Sequence, residues 1–294
     1  MRWVFIGTDG IRAGWRALAF LAIFALGVGL LGFASAAIFA HAGRSVPFVG
    51  RLVVQEIVFL SAMIAALALM ARIERRSRWS FGLAERRIAT RSLLGVALGT
   101  TVLAAFVAVL ELAGFARVSP SGDPLSVAAI YGVLWFALFA LVALAEELFF
   151  RGYLLVTLAR GIGFWPAAIV LSIAFGLAHV ANAGEGPIGA ISAGTSGLML
   201  AFAFYRSGSL WFPIGIHAGW DWAQSWVFGT ADSGMHISHS LLHTTPLGNV
   251  LQSGGSIGPE GSIFSFAIDA IFIGVTLVAF RPRTSIFERA TSNA

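Results

Sequence analysis

Ionisable residues interrupt three strongly apolar stretches of the chain, and their side chains are of the kinds that transfer protons or hold water. They are Glu146, Glu147 and Arg151 in the first stretch, His179 at the end of the second, and His217 and Asp221 in the third. A charged residue at the bilayer centre costs at least ~2.5–3.5 kcal/mol on insertion scales, so such residues mark functional sites by default. Because facing helices build sites inside bundles, we expect these side chains to meet in one water-accessible pocket.

The two adjacent acids of the first stretch are predicted to have different roles. Glu147 and Arg151 are four residues apart with the acid first, a spacing that allows an ion pair on a helix and offsets much of the insertion cost. We therefore predict a structural ion pair between them. Glu146 points about 100° away around the same helix and stays unpaired within it. We predict that Glu146 is the catalytic base.

Glu146, His179 and His217 together suit peptide hydrolysis. A carboxylate can take a proton from water, one imidazole can relay that proton or hold the water, and a second imidazole can donate to an oxyanion. The same three residues could instead hold Zn²⁺, with water in the open coordination position. The spacing of the residues does not separate these two mechanisms.

Asp221 shares a helical face with His217, which precedes it by four residues. An ionised carboxylate only accepts hydrogen bonds and would repel an oxyanion. Two roles therefore stay open for Asp221. Either it is protonated in a low-dielectric pocket, or it orients His217 and raises the basicity of that ring.

The elements that must position these residues are membrane-spanning helices. Of 294 residues, 58% are hydrophobic and 11% are charged, and the mean hydropathy of +0.86 excludes a water-soluble domain. We predict an all-α polytopic membrane protein with about eight transmembrane helices, forming one domain over 1–294 with a catalytic core at about 127–228. The predicted spans are Trp15 to Phe39, Leu52 to Ala71, Leu93 to Phe115, Val127 to Ala159, Phe164 to Val180, Pro187 to Tyr205, Leu210 to Phe228, and Ile263 to Phe280.

The placement of arginine predicts the orientation in the membrane. All 19 basic residues are Arg, and most lie in short segments that fall on one side if the eight spans hold. The positive-inside rule then makes both termini cytoplasmic. The clustering of arginines beside apolar runs does not indicate a basic groove, so we expect no nucleic-acid partner. The absence of Cys excludes a thiolate nucleophile and disulfides.

The first 36 residues have some features of a signal peptide. Basic residues precede an apolar run, which ends at the small-residue pattern Ala34-Ser35-Ala36. The run from Ala17 to Phe33 exceeds the 7–15 residues of a typical signal segment, so we expect a retained first span instead.

The fourth span is too long for a straight crossing. Val127 to Ala159 would measure about 50 Å as a helix, so it must tilt, kink or extend past the membrane surface. Depth counted along straight spans places Glu146 toward the cytoplasmic half and His179 nearer the opposite side. Convergence of the two therefore requires a bend near Gly152 or Gly176, or a fifth span that starts below the surface.

Three motifs on separate spans, in this order along the chain, resemble those of the CPBP family of intramembrane proteases. This family includes the CAAX-processing Ras-converting endoprotease, and bacteriocin-processing and immunity proteins. The resemblance covers about 127–228. The motifs are Glu146-Glu147-x-x-x-Arg151, Phe175-x-x-x-His179 and His217-x-x-x-Asp221.

The resemblance implies an eight-span helical fold and endopeptidase activity. By the same resemblance, Glu146 and His179 would activate water, and His217 and the position of Asp221 would stabilise the oxyanion. The last position is Asn in the CAAX-processing members of the family, and Asn or Asp in its bacterial members.

We therefore expect a glutamate-dependent or metal-dependent peptidase in the bacterial inner (plasma) membrane. Its partners would be the lipid bilayer and a peptide or membrane-protein substrate, and Zn is the one cofactor that the site residues could hold. Two rival functions stay open. A proton-coupled transporter also uses buried Glu and His, although the chain shows no repeated halves. A non-catalytic scaffold or immunity protein could keep the polar cluster for packing.

Other polar and aromatic residues are predicted to take no part in catalysis. His236, His239 and His243 would line one helical face and could chelate a metal, but a loop of this kind is normally solvated. We expect three acids to face interfacial water or a neighbouring helix: Glu56, Glu111 and Asp269. We expect four tryptophans to pack or to lie at the interface: Trp211, Trp220, Trp222 and Trp226.

Overall fold

The chain folds into a helical bundle. The computed structural model describes residues 6–7, 10–42, 47–182, 186–281 and 287. A π-helical segment, Leu148–Leu154, joins the helix Leu125–Glu147 to the helix Leu155–Ile162, and a second one, Ala223–Val227, extends the helix Trp211–Trp222. The α-helices are α1 (Ala13–Ala42), α2 (Phe48–Ile73), α3 (Ile88–Leu112), α4 (Leu125–Glu147), α5 (Leu155–Ile162), α6 (Phe164–His179), α7 (Pro187–Ser207), α8 (Trp211–Trp222), α9 (Val250–Ser253) and α10 (Ser265–Ala279).

Helix is present at each of the eight predicted apolar spans. Of the described helices, five are long and apolar enough to cross a membrane: α1, α2, α3, α7 and the continuous run Leu125–Ile162. The helices α6 and α10 are apolar but shorter. The architecture is thus that of a helical membrane protein, whereas eight crossings and two cytoplasmic termini stay predictions. Four arginines that entered the orientation argument, Arg2, Arg44, Arg283 and Arg289, lie outside the described residues.

Short strands accompany the helices, and the sequence analysis did not predict them. A two-stranded hairpin at the amino-terminal end pairs β1 (Ile6–Gly7) with β2 (Gly10–Ile11). After α3, β3 (Ala116–Pro120) pairs in antiparallel fashion with β4 (Leu242–Pro246). The second pair fixes the long segment 229–262 to the end of α3, so this segment is held against the bundle.

Close packing of α3 on α8 holds the helix that carries His217. Gly95 and Gly99 of α3 face Gly215 and Gly219 of α8, two small-xxx-small pairs of the kind that lets helix backbones approach closely. A Cβ atom at any of these four glycines would lie 2.2 to 2.4 Å from a backbone oxygen of the facing helix. Glycine at these positions therefore sets the position of α8.

The fourth predicted span is continuous but not regular. It runs over the 38 residues from Leu125 to Ile162, and its hydrogen bonding changes to the π type at Leu148–Leu154, directly after the two acids. This segment contains Gly152, one of the two glycines where a bend was predicted. Single π turns inside α-helices are frequent at functional sites. Tyr153 of this segment stacks on Phe20 of α1 with ring centroids 4.3 Å apart, which ties the segment to the aromatic core.

Candidate active site

One cavity of about 630 Å³ contains all four predicted catalytic side chains. Glu146 comes from the end of α4, His179 from the end of α6, and His217 and Asp221 from α8. The side chains from the three separate spans thus converge, and the apparent difference in depth does not keep them apart.

His217 lies among three carboxylates. Its Nδ1 atom is 3.1 Å from Oε1 of Glu147, and its Nε2 atom is 3.4 Å from Oδ2 of Asp221 and 3.9 Å from Oε2 of Glu146. A neutral imidazole has one N–H group and can donate to one side only, whereas the doubly protonated ring donates on both sides. The surrounding negative charges favour this protonated, donating form.

Glu147 and Arg151 form the predicted ion pair, at 2.9 Å between Arg151 Nη1 and Glu147 Oε1. Both side chains are buried, and the guanidinium carbon of Arg151 lies 4.3 Å from the ring centroid of Phe175. The same Glu147 oxygen also accepts from His217 Nδ1. The sequence analysis assigned this pair to structure alone, but its carboxylate contacts a predicted catalytic ring.

His179 has a different hydrogen-bonding pattern. Its Nδ1 atom lies 2.8 Å from the backbone carbonyl oxygen of Phe175. A carbonyl oxygen only accepts, so Nδ1 carries the proton and, in the neutral ring, Nε2 keeps its lone pair. The Phe175 ring also packs against the imidazole, with centroids 4.5 Å apart. His179 is therefore set up as a proton acceptor, whereas His217 is set up as a donor.

Asp221 contacts His217 at the nitrogen that faces Glu146. The nitrogen on the other side of the ring, Nδ1, is held by Glu147. The carboxylate that orients the His217 ring through Nδ1 is therefore that of Glu147. Sequence spacing did not reveal this contact. Asp221 is buried, with 8% of its surface exposed, and shares Nε2 with Glu146.

Zinc binding by these side chains stays a prediction from the sequence. Within the described part of the chain, no group of three or more His, Cys, Asp or Glu side chains is placed to hold a metal ion. No step below involves a metal.

Several acids that sequence reasoning set aside also line the cavity. Glu56 of α2 and Asp269 of α10 were expected at span ends, facing interfacial water or a neighbouring helix, but both face this cavity. Asp232 and Glu260 of the segment 229–262 complete the acidic lining. An acid inside an apolar span is costly, and that cost was the available signal for Glu56 and Asp269.

The three loop histidines do not share a helical face. His236 lines the cavity, His239 lies with Nδ1 3.2 Å from Oδ2 of Asp123, and His243 belongs to strand β4. The expected helical face is absent from these residues because this part of the segment forms a strand and turns rather than a helix.

The remaining acid and tryptophans have structural contacts, and one tryptophan also reaches the cavity. Glu111 accepts a hydrogen bond from the backbone N–H of residue 118 at 3.0 Å. Trp211, Trp222 and Trp226 donate their ring N–H groups to backbone carbonyl oxygens of neighbouring elements, in keeping with packing roles. Trp220 lines the cavity.

Residues 128–223 match the family described as "Type II CAAX prenyl endopeptidase Rce1-like". The match confirms the resemblance predicted from the three motifs, and its range includes every residue of those motifs. Neither a curated protein nor a solved structure matched the chain.

Proposed function

We propose that this integral membrane protein is an intramembrane endopeptidase, which hydrolyses a peptide bond of a polypeptide at or within the membrane. The family match supports a peptidase. The observation that carries the proposal is that two histidines in one cavity have hydrogen bonds that suit them to opposite roles. His179 presents an acceptor nitrogen, His217 presents a donor, and Glu146 faces the same space with 28% of its side chain exposed.

In the proposed mechanism, Glu146 takes a proton from a water molecule that His179 Nε2 helps to orient. The water oxygen forms a bond to the carbonyl carbon of the substrate, and the carbonyl electron pair moves onto the oxygen. The Nε2–H group of His217 donates to that oxyanion. When the intermediate collapses, the C–N bond breaks and the carboxyl of Glu146 returns its proton to the leaving amine.

Glu147 and Asp221 support the donor in this mechanism. Glu147 accepts from Nδ1 and so fixes the plane of the His217 ring, while its pairing with Arg151 keeps the carboxylate in place. Asp221 holds the Nε2–H group until a substrate oxygen replaces it. The carboxylate of Asp221 thereby favours the protonated ring without itself touching the oxyanion.

The first test is turnover by the purified full chain in proteoliposomes. We expect cleavage of membrane-inserted peptides, with prenylated and unprenylated CAAX sequences as two arms. Glu146→Gln keeps the shape of the side chain but removes the base, so activity should fall about 10²–10⁴-fold. Glu111→Gln is the matched control, because Glu111 lies outside the cavity lining. Retention of more than a tenth of wild-type activity by Glu146→Gln would contradict the proposed role.

The single domain over 1–294, the core at about 127–228 and a place in the bacterial inner membrane belong to the same proposal. The described helices support the single domain, because α2 and α10, which lie outside 127–228, contribute lining residues to the cavity.

A further inference from the structure

The side chains that line the cavity are predominantly acidic. Among the described residues that line it, none is Lys or Arg, and the only basic side chains are histidines. In such a lining, cationic groups are attracted and anionic groups are repelled. The carboxylates of the lining are Glu56, Glu146, Asp221, Asp232, Glu260 and Asp269.

Asp269 differs from the other carboxylates because one of its oxygens is buried without a partner. Only 7% of the residue is exposed, and Oδ1 accepts a hydrogen bond from Ser196 Oγ at 3.0 Å. Oδ2 has no hydrogen-bond partner among the described residues, and the nearby hydroxyl of Thr195 donates to the backbone oxygen of Ser192. A buried carboxylate oxygen that lines a cavity without a protein partner needs a donor from whatever fills the cavity, water or ligand.

The surroundings of Asp269 select a particular shape of ligand. Apolar residues of α7 and α10, among them Leu200, Ile268 and Phe272, line the same cavity, and the hydroxyls of Ser192 and Ser265 on these two helices are joined at 2.9 Å. A ligand that fits this lining has an apolar stem and a cationic head. Long basic side chains have this form.

The subsite adjoins the catalytic groups. Phe272, one turn after Asp269 on α10, lies with its ring centroid 5.9 Å from that of Trp220, the neighbour of Asp221 on α8. Asp269 itself lies outside the matched residues 128–223. The carboxylate is thus contributed by a helix that the family match does not cover.

We propose that Asp269 and Ser196 form a specificity subsite for a Lys or Arg side chain of the polypeptide substrate. This inference rests on the proposed function, and it names the class of substrate: a membrane-associated polypeptide with a basic residue close to the scissile bond. The cationic head would donate to the free oxygen of Asp269, and the stem would lie along the apolar wall.

The test measures binding, so that it does not depend on turnover. The full chain carrying Glu146→Gln is reconstituted in nanodiscs and titrated against fluorescein-labelled Leu/Ala peptides of about 20 residues, a length that spans the bilayer. Each peptide carries one Lys or, in the matched series, one norleucine, at successive positions. At one or two adjacent positions we expect Lys to bind about tenfold tighter, the value of one hydrogen bond to a charged group.

The variants assign this preference to the subsite. Asp269→Asn should abolish the preference for Lys, and Asp269→Glu, which keeps the charge, should retain part of it. Asp123→Asn should leave the preference unchanged, because Asp123 lies outside the cavity lining and contacts His239. Thermal unfolding of each variant verifies that the protein is folded.

Two results would overturn the inference. The first is equal affinity for Lys and norleucine at every position. The second is stabilisation of the protein by Na⁺ over choline that Asp269→Asn removes, without any preference for Lys, because the site would then take an inorganic cation. Cleavage by the chain with Glu146 intact separates the two proposals. A Lys preference without cleavage refutes the peptidase, and cleavage without a Lys preference refutes the subsite.

Discussion

The ring nitrogens of His179 and His217 have different partners, and this difference assigns their roles. A backbone carbonyl fixes the tautomer of His179, and a backbone group cannot be changed by titration of a neighbour. Carboxylates on both sides of His217 make its charge depend on theirs. The proposed acceptor is therefore set by the fold, whereas the proposed donor is set by an electrostatic network that includes Glu146, the proposed base.

Glu147 links that network to a buried ion pair. Variants of this pair should therefore change the stability of the protein and its activity to different extents. Loss of one partner leaves the other as an uncompensated buried charge, at a cost of about 3–5 kcal/mol. In detergent, Glu147→Leu should therefore melt well below wild type, because it strands the charge of Arg151, whereas Glu147 without Arg151 would keep its contact with His217. The double variant Glu147→Leu with Arg151→Met should recover much of the melting temperature, because no charge is stranded. It should not recover cleavage, because His217 Nδ1 has lost its acceptor.

Melting temperatures and cleavage rates of the same preparations check this prediction. If the single and double variants melt together, the pair has no role in stability. If the double variant cleaves at the wild-type rate, the contact between Glu147 and His217 has no role in catalysis.

At the scale of elements, the packing of α3 on α8 positions His217. Gly219→Ala would place a Cβ atom 2.4 Å from the backbone oxygen of Val96, so the two helices must separate. We expect a loss of about 1–3 kcal/mol from overpacking, together with a large loss of cleavage because α8 carries His217. Thermal unfolding and turnover of the purified variant measure the two effects.

Gly274→Ala is the matched control for this prediction. Gly274 lies in α10, is exposed, and has no atom within 4 Å of an added Cβ. Alanine there should be neutral or stabilise the helix by roughly 0.5–1 kcal/mol. Gly219→Ala with normal stability and turnover would show that close approach of α3 and α8 does not position the site.

The elements were predictable to different degrees. The helices at the eight spans follow from local hydrophobicity, and the facing Gly-xxx-Gly pairs of α3 and α8 are visible as spacing. The change to π hydrogen bonding at Leu148–Leu154 and the pairing of β3 with β4 were not predictable, because they depend on contacts between distant segments. The four catalytic candidates were found because ionisable residues in apolar helices are conspicuous.

At the scale of the whole molecule, the cavity is assembled from parts that lie far apart in the chain. Glu56 of α2, Asp269 of α10 and the segment 229–262 line the cavity together with the candidate catalytic groups of the matched region. Depth counted along straight, independent spans separated Glu146 from His179, because that count treats every helix as having the same length and tilt. Both side chains nevertheless line the same cavity, where α4 continues through a π segment and α6 is short.

The segment 229–262 closes one side of the cavity and is fixed at several points. Trp135 of α4 donates to the backbone oxygen of Ser238 at 3.1 Å, and β4 pairs with β3. Glu260 accepts from the backbone N–H of Ser233 at 2.6 Å and from the side-chain amide of Gln224. A carboxylate thus holds the segment to the end of α8, in a place partly withdrawn from water.

This placement predicts how stability depends on pH. Withdrawal from solvent raises the pKa of Glu260 well above its ordinary range, and the nearby negative charge of Asp232 raises it further. Between the unfolded and the folded pKa, the native state keeps a proton that the unfolded chain releases, so the stability from Glu260 is complete at acidic pH and declines as pH rises. The melting temperature of wild type should therefore fall from pH 5 to pH 8 more steeply than that of Glu260→Gln, by about 2 °C or more.

Glu85→Gln provides the control of opposite sign. Hydrogen bonds, chiefly from the backbone N–H of Arg87, lower the pKa of Glu85, so its contribution is present above the unfolded pKa and is lost only in more acidic solution. That variant should keep the wild-type slope between pH 5 and pH 8. Glu260→Gln retains an acceptor for Ser233, and the segment stays attached through Trp135 and the pairing of β3 with β4. If the melting temperatures of wild type and Glu260→Gln change equally between pH 5 and pH 8, Glu260 is ionised in the folded protein. Its carboxylate then does not make the stability of the protein depend on pH in this range.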